Sequence, residues 1–217
     1  MIDYNLILET AFIVSEGIAA FTAILFFKDI KNSRYRYFAF YLVFIFFCEI
    51  IGMFALDYFS ITKNLFFNYF VIPLEFLFFY WLYGCQSLQN KKLFIGFSAL
   101  FLLAFIPNEL YFVKNKHIFS FNYTFGSLLL MFLVIMEYYK QINSENILNF
   151  AKNKMFYINL GVTLFYIGTL PFWTFYFQLL SDYREIWDAY LKYFLISGIL
   201  MYLLFASSFI WGKRSYT

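Results

Sequence analysis

The sequence predicts an all-α membrane protein, a single domain over residues 1–217 built as a bundle of seven transmembrane helices. Hydrophobic residues make up 63% of the 217 residues and charged residues only 13%, roughly half the charged share of soluble domains. Apolar stretches of about 18 residues or more, the length that suggests a membrane span, recur along the whole chain. A helix of a soluble protein would instead carry one apolar stripe beside a polar face.

Seven apolar segments account for the predicted spans. We expect them at approximately residues 5–27, 37–56, 65–84, 93–107, 118–139, 155–178 and 189–211. The fourth is the shortest, so it is either extended through Pro107 or a tilted, partly embedded helix. Pro73 and Pro171 are expected to kink the third and sixth helices, because proline removes a backbone hydrogen bond inside a helix.

Polar residues and a glycine mark several helix ends. Asn64 precedes the third segment as an expected N-cap, and Gly84 is expected to close that helix. Asp182 and Glu185 have the spacing of a capping box. This spacing predicts that the last helix begins near Tyr183, outside the bilayer.

Basic residues are distributed unevenly between the two sides of the predicted bundle. Eleven of the 16 Lys and Arg residues fall on one side and five on the other. The basic side is cytoplasmic by the positive-inside rule, which places the N-terminus outside and the C-terminus inside. The basic segments 28–36 and 140–154 are the expected contact surfaces for a protein partner, or for anionic lipid. The residue usage is that of an AT-rich genome, and we expect a multi-pass protein of a bacterial inner membrane.

Three glutamates, Glu16, Glu49 and Glu75, lie near the middle of the first three segments, and no Lys or Arg shares that zone. A charged side chain inside a bilayer is costly and typically marks a functional site. Three ionised carboxylates close together would repel one another, so either most are protonated or a cation or cationic ligand neutralises them. The structural alternative is that neutral glutamates join helices through hydrogen bonds of ~0.6 to 2 kcal/mol each.

Polar residues of the third and sixth segments are expected to complete a pocket around the glutamates. Asn68 lies two helical turns before Glu75 on the same face. Asn159, Thr163 and Tyr166 follow one another at helical spacing in the sixth segment. The sequence therefore predicts a site for a small molecule, a cation or a lipid that these residues line.

Several kinds of site are excluded by residue counts and positions. His117 is the one histidine, which excludes His-rich metal sites and a pair of haem ligands. Cys48 and Cys85 give no indication of a disulfide. Lys192 lies at the outer end of the last segment, whereas a retinal protein needs a lysine near its middle. The sequence identifies no cofactor, leaves a metal open, and gives no reason to expect a nucleic-acid partner.

One short segment resembles a known family. Residues 73–79, Pro-Leu-Glu-Phe-Leu-Phe-Phe, resemble the Pro-x-Glu-(Glu/Asp)-x-x-Phe-Phe segment of the membrane lycopene cyclases, small polytopic enzymes that protonate a polyene. Glu49 matches an acid in the preceding helix, whereas Phe76 replaces the second acid of the segment. The resemblance covers seven residues and implies proton-donating catalysis on a hydrophobic substrate, with Glu75 as general acid.

The expected function is sensory or regulatory: the pocket binds a ligand and passes a conformational change to a separate cytoplasmic or membrane partner. A small proton- or cation-coupled transporter is the first alternative, since midplane carboxyls and kinked helices are typical of transporters. An enzyme acting on a lipid or isoprenoid is the second alternative, and it predicts a pocket open to the bilayer. A scaffold, in contrast, predicts a filled bundle without a pocket.

Overall fold

The apolar segments are helical in the computed structural model, which describes residues 4–54, 62–111, 120–144 and 147–212. Within these ranges every regular element is helical. The main helices are α1 (Tyr4–Leu25), α2 (Tyr35–Phe54), α3 (Lys63–Ser87), α4 (Lys91–Leu103), α5 (Phe105–Tyr111), α6 (Ser120–Ile142), α7 (Lys154–Thr174), α8 (Tyr176–Asp182) and α9 (Arg184–Ile210). Short helical turns at Phe27–Ile30 and Ile147–Lys152 lie between α1 and α2 and before α7.

Six of the described helices, α1, α2, α3, α6, α7 and α9, are long and apolar enough to cross a membrane. Their outward faces carry large apolar side chains such as Phe21, Phe47 and Phe132, which are 62%, 56% and 55% exposed. Soluble monomers rarely expose apolar surface of this extent, whereas lipid accommodates it. The predicted all-α membrane bundle is confirmed at this level, with six candidate spans.

The predicted fourth span, residues 93–107, is occupied by two shorter helices. α4 ends at Leu103, a turn follows at Ala104, and α5 begins at Phe105. The break places Pro107 in the first turn of α5. Backbone N–H groups there have no partner within the helix, so proline, which lacks an N–H, costs no hydrogen bond. Neither helix alone is long enough to cross a bilayer.

The helix ends agree only in part with the sequence-based expectations, and α3 continues past Gly84 as far as Ser87. Thr62 caps α3 in place of Asn64, because the chain is already helical from Lys63; the Thr62 Oγ1 accepts a hydrogen bond from the backbone N–H of Leu65 (3.3 Å). α9 begins one residue after Tyr183, as the sequence predicts. However, Tyr183 is itself the N-cap residue and makes no capping hydrogen bond through its side chain. The sequence thus predicts the start of α9 correctly, but the N-cap is Tyr183 and not Asp182, the residue that the predicted capping box requires.

α3 and α7 each contain a π-helical stretch shortly before a proline. In α3 the stretch is Phe67–Val71, two residues before Pro73, and in α7 it is Thr163–Ile167, four residues before Pro171. A π turn inserts one residue and locally displaces the backbone hydrogen bonds, and such insertions are frequent at functional sites. The predicted kink positions thus lie beside irregular backbone in the two helices expected to line the pocket.

Aromatic rings fill the interior of the bundle. The ring of Phe12 on α1 packs against α9 and sets the distance between these two helices. The ring of Phe12 on α1 lies 6.2 Å from that of Phe194, 5.6 Å from that of Tyr202 and 6.3 Å from that of Phe165, measured between centroids. Its remaining side rests on Gly198 of α9. Because neighbours surround it, this ring has little freedom to move.

We expect Gly198→Ala to lower the free energy of unfolding by about 1 to 3 kcal/mol, the usual cost of overpacking a core. A Cβ at this position would lie 2.1 Å from Cε2 of Phe12. Gly96→Ala is the matched control, because no atom lies within 4 Å of its Cβ position and alanine favours a helix. Thermal unfolding of both variants in one detergent measures the difference. Equal stabilities would contradict the packing of α1 against α9.

Candidate functional site

The three predicted glutamates lie on α1, α2 and α3, within one electrostatic neighbourhood. Glu16 is 2% exposed and interacts electrostatically with both Glu49 and Glu75. Glu75 also interacts with Glu49. Cys48, next to Glu49 in the sequence, is buried and interacts with the same three carboxylates. These three glutamates are called the carboxylate centre below.

Tyrosines of three helices surround the carboxylate centre. The hydroxyl of Tyr41 on α2 donates a hydrogen bond to Oε1 of Glu75, with 3.0 Å between the oxygens. The hydroxyl of Tyr166 on α7 lies beside the same carboxyl group without a well-directed hydrogen bond. Tyr202 on α9 lies beside Glu16. Five helices therefore supply polar groups to one region of the interior.

Glu49 differs from the other two glutamates because it forms an ion pair with Lys63. The sequence predicts no cation beside the glutamates, and this is wrong for Glu49. Lys63 belongs to the first turn of α3, and its aliphatic chain runs past Gly52 of α2. A Cβ at Gly52 would make ordinary contact with Cε of Lys63 (3.4 Å) and would clash with the ring of Phe67 (2.9 Å). The Glu49 side chain is 14% exposed and that of Lys63 45% exposed, so the pair lies at the edge of the centre. Within the described ranges, Glu16 and Glu75 form no ion pair.

The polar residues predicted on α3 and α7 are not all in contact with the glutamates. Asn68 is buried in the first π-helical stretch of α3. Asn159 is fully buried, and its side-chain amide hydrogen-bonds to none of the described residues. The Oγ1 of Thr163 donates to the carbonyl of Asn159 (2.7 Å) and lies 3.1 Å from the hydroxyl oxygen of Tyr138. Of the three α7 residues, Tyr166 is the one with a described contact to the glutamates.

α6 places Tyr123 near the centre and holds two further buried polar side chains. The ring of Tyr123 lies 6.1 Å from that of Tyr166, and Tyr123 interacts electrostatically with Glu75. Asn122 and Ser127 are buried, and their side chains hydrogen-bond to none of the described residues. Buried polar groups are nearly always hydrogen-bonded to something. The amide of Asn122 and the hydroxyl of Ser127 are thus buried hydrogen-bonding groups without a partner among the described residues.

An apolar groove opens on the surface of the bundle beside Tyr41, a residue that contacts the carboxylate centre. It lies between α2 and α3, with a volume of about 430 Å³. Its lining consists of aromatic and aliphatic side chains: Tyr37, Phe40, Tyr41, Phe44, Leu74, Phe78 and Trp81. Tyr41 lines this groove and also donates the hydrogen bond to Glu75. It therefore connects the groove with the centre.

The carboxylate centre combines acidic groups with aromatic rings. In the described part of the chain no group of three or more His, Cys, Asp and Glu side chains could hold a metal ion. The carboxyls of Glu16 and Glu75 are instead accompanied by aromatic rings, such as the stacked rings of Tyr41 and Phe78 (4.1 Å between centroids). Carboxylates and the faces of aromatic rings both attract cations.

Sequence reasoning missed the tyrosines Tyr41 and Tyr202. They are two of 20 tyrosines in the chain, so their presence in a span carried little information. A usable signal is that a tyrosine hydroxyl in the middle of an apolar helix needs a hydrogen-bonding partner, and a glutamate at similar depth in a neighbouring helix can supply one.

No protein-family model, no curated protein and no solved structure matches the chain. The resemblance of residues 73–79 to membrane lycopene cyclases is therefore not accompanied by a family match.

Proposed function

We propose that the protein is a membrane-embedded sensory or regulatory subunit whose carboxylate centre binds a small organic cation. The observation that carries this proposal is the meeting of Glu16 and Glu75, which form no ion pair with described residues, with tyrosines of three other helices. A cation bound there contacts groups from α1, α2, α3, α7 and α9. Ligand binding therefore favours one relative arrangement of these helices, which is the requirement for a ligand-driven shift between conformations.

The charge balance of the centre supports a monovalent or divalent cationic ligand. Three carboxylates are present, and Lys63 directly offsets the charge of Glu49. Two ionised carboxylates in an apolar interior remain costly until a positive charge reaches them. A cation that enters the centre removes this cost. It is attracted by both carboxylates, and it also reduces the repulsion between them, so both effects contribute to its affinity.

We further propose that the chain crosses the membrane seven times, with α4 and α5 together forming the fourth crossing. The 21 residues from Lys91 to Tyr111 span ~30 Å as helix, the thickness of the hydrocarbon core. Contacts along α3 support an antiparallel course. Tyr80 lies 6.3 Å from Phe97 between ring centroids, and Tyr69, about three turns earlier in α3, hydrogen-bonds to Glu109 near the end of α5.

The proposed orientation has the N-terminus outside and the C-terminus in the cytoplasm. Two contacts support the placement of the basic loops at one end of the bundle. Lys140 at the end of α6 donates to the carbonyl of Ser87 at the end of α3 (2.6 Å). Lys154 at the start of α7 donates to the carbonyl of Gly212 after α9 (2.6 Å). Cytoplasmic loops carry the excess of Lys and Arg, so this end faces the cytoplasm.

The same contacts suggest how the carboxylate centre communicates with a cytoplasmic partner. α9 carries Tyr202 beside Glu16 and ends at the basic side of the bundle, where Gly212 meets Lys154. We propose that a displacement of α9 at the centre is transmitted through Lys154 to the basic segments 28–36 and 140–154, because Lys154 also interacts with Asp29. These segments are the proposed surface for a separate protein partner in a bacterial inner membrane.

Thermal unfolding of the purified wild-type protein tests the proposed ligand class. We expect methylammonium, tetramethylammonium or putrescine chloride to raise the unfolding temperature above that in NaCl of equal ionic strength. A ligand that binds only the folded state at 100 times its Kd stabilises by about 2.7 kcal/mol. Identical unfolding temperatures in NaCl and in all three organic salts would contradict the proposal.

A cation-coupled transporter is the second candidate, favoured by the π-helical stretches of α3 and α7. Interrupted helices at the depth of a binding site are typical of transporters. Cys48 is a natural reporter, since it is buried beside the glutamates, and Cys85→Ser removes the other cysteine. Labelling of Cys48 from both sides of sealed vesicles, in alternation with the ion gradient, favours the transporter. Labelling from one side only favours the sensory subunit.

An enzyme acting on a lipid or isoprenoid is the third candidate, favoured by the apolar groove between α2 and α3. Glu75 would be the general acid and Glu49 would assist it. In the present geometry a substrate in the groove meets Tyr41 before Glu75. Turnover of a hydrophobic substrate that is lost in Glu75→Gln and retained in Glu9→Gln would favour this candidate.

A further inference from the structure

We infer that a second site, at the basic end of the bundle, binds a phosphate group carried by a lipid headgroup or by a soluble phosphate compound. A cavity of about 740 Å³ lies at this end, and Arg34, Lys140, Lys154, Asn32, Ser33 and Gln89 are among its lining residues. It is separate from the carboxylate centre. Ser87, beside this cavity, is 12 residues beyond Glu75 on α3, or about 18 Å along the helix.

The three cations of the cavity come from different parts of the chain and are held in place by backbone carbonyls. Arg34, just before α2, donates to the carbonyl of Gln86, and Lys140 donates to that of Ser87. Lys154, which is 6% exposed, donates to the carbonyls of Ser208 (3.1 Å) and Gly212 (2.6 Å). Because a carbonyl is uncharged, it does not neutralise these cations. The guanidinium and both ammonium groups also retain N–H donors for another acceptor.

Acidic groups near the cavity neutralise only part of this charge. Asp29 lines the cavity and interacts with Lys154. Glu137 is buried nearby, but its carboxyl oxygens accept hydrogen bonds from Ser87 (2.6 Å) and Gln141 (3.0 Å), and it is not part of the lining. The lining therefore contains three cations and one anion.

Gln89 lines the cavity and has an unusual backbone conformation. Its backbone φ is +54°, the single positive value among non-glycine residues in the described ranges. The backbone N–H of Asn90 bonds to the carbonyl of Gly84 (2.8 Å), which closes the π-helical end of α3. Helices that end this way usually carry glycine at the left-handed position. Strained residues cluster at functional sites, and here the strained residue places an amide side chain in the cavity wall.

These groups together fit phosphate. The guanidinium of Arg34 can donate two parallel hydrogen bonds to phosphate oxygens, while the ammonium groups act as point charges. Basic pockets between transmembrane helices on the cytoplasmic side are a known kind of headgroup site. Fixed side chains also lose little conformational freedom when a ligand binds, which favours affinity.

The test compares cavity variants with a matched surface variant of the full-length, delipidated protein. Lys140→Ala removes a lining cation, and Gln89→Gly removes the amide while relieving the backbone strain, so it is expected to fold at least as well as wild type. Lys31→Ala is the control, because Lys31 is exposed at the same end and does not line the cavity. Native mass spectrometry and thermal shift measure binding of dioctanoyl phosphatidylglycerol and of inorganic phosphate.

We expect the Kd for phosphatidylglycerol to rise about tenfold in Lys140→Ala, the effect of losing one charge-assisted contact. Gln89→Gly should also weaken binding, and Lys31→Ala should not. If inorganic phosphate binds with the same dependence on the variants, the natural ligand is a soluble phosphate compound; if only the lipid binds, it is a headgroup. Equal effects of Lys140→Ala and Lys31→Ala, or unchanged binding in Gln89→Gly, overturn the proposal.

Discussion

Replacing both Glu16 and Glu75 by Gln is expected to abolish binding of organic cations and to leave the bundle folded. Glutamine keeps the size of the side chain, and its amide oxygen can still accept the hydrogen bond that Tyr41 donates to Glu75. It removes the two negative charges that form no ion pair with described residues. Removing one partner of a buried charge pair costs about 3 to 5 kcal/mol, so affinity should fall by more than about 100-fold. Isothermal titration with tetramethylammonium measures this loss.

Two further variants separate a ligand site from simple joining of helices. Glu9→Gln is the control, because Glu9 lies on the same helix as Glu16 but is exposed. Glu49→Gln should weaken binding less than the double variant, since Lys63 already pairs with Glu49. If the double variant binds organic cations as wild type does, Glu16 and Glu75 are not the binding groups. Their role would then be that of interhelical hydrogen-bonding residues, which glutamine can also fill.

Lys154→Met is expected to lower the free energy of unfolding by about 3 kcal/mol, because two hydrogen bonds to a charged group are lost. The ammonium group is buried and donates to the carbonyls of Ser208 and Gly212, at the C-terminal end of α9. A positive charge there also interacts favourably with the dipole of α9. Methionine preserves most of the apolar length of the side chain, so packing changes little.

Lys152→Met is the control for this prediction, because Lys152 is exposed two residues earlier in the chain. Denaturant unfolding of both variants in the same detergent gives the comparison. The expected result is a large loss for Lys154→Met and a change within about 0.5 kcal/mol for Lys152→Met. Equal stabilities would show that Lys154 does not hold the end of α9 against the start of α7.

Hydropathy was sufficient to locate the helices but not their interruptions. The segments predicted at residues 5–27 and 118–139 correspond to α1 and α6, with ends that differ by only a few residues. The turn at Ala104 was not predicted, because apolar residues continue on both sides of it. The π-helical stretches were not predicted either, since a one-residue insertion in a uniformly apolar helix leaves no trace in the hydropathy pattern.

The candidate site was predictable where a rare residue type marked it. Glutamates in apolar segments stand out, whereas Tyr41 and Tyr202 were hidden among many aromatic residues. A period of 3.6 residues predicts that Thr163 and Tyr166 share one face of the helix. The π-helical stretch that begins at Thr163 changes this register. Lys63 lies outside the predicted third segment, residues 65–84, but its long side chain reaches Glu49 along the surface of α2.

Native mass spectrometry with elemental analysis, on protein extracted gently from its own membrane, tests the central claim most directly. Wild type, Glu9→Gln and the Glu16→Gln, Glu75→Gln double variant are prepared side by side. The predicted result is a small organic cation that accompanies wild type and Glu9→Gln and is absent from the double variant. The same small molecules in all three preparations, or a co-purifying protein with no small ligand in any of them, would contradict a cation site at the carboxylate centre.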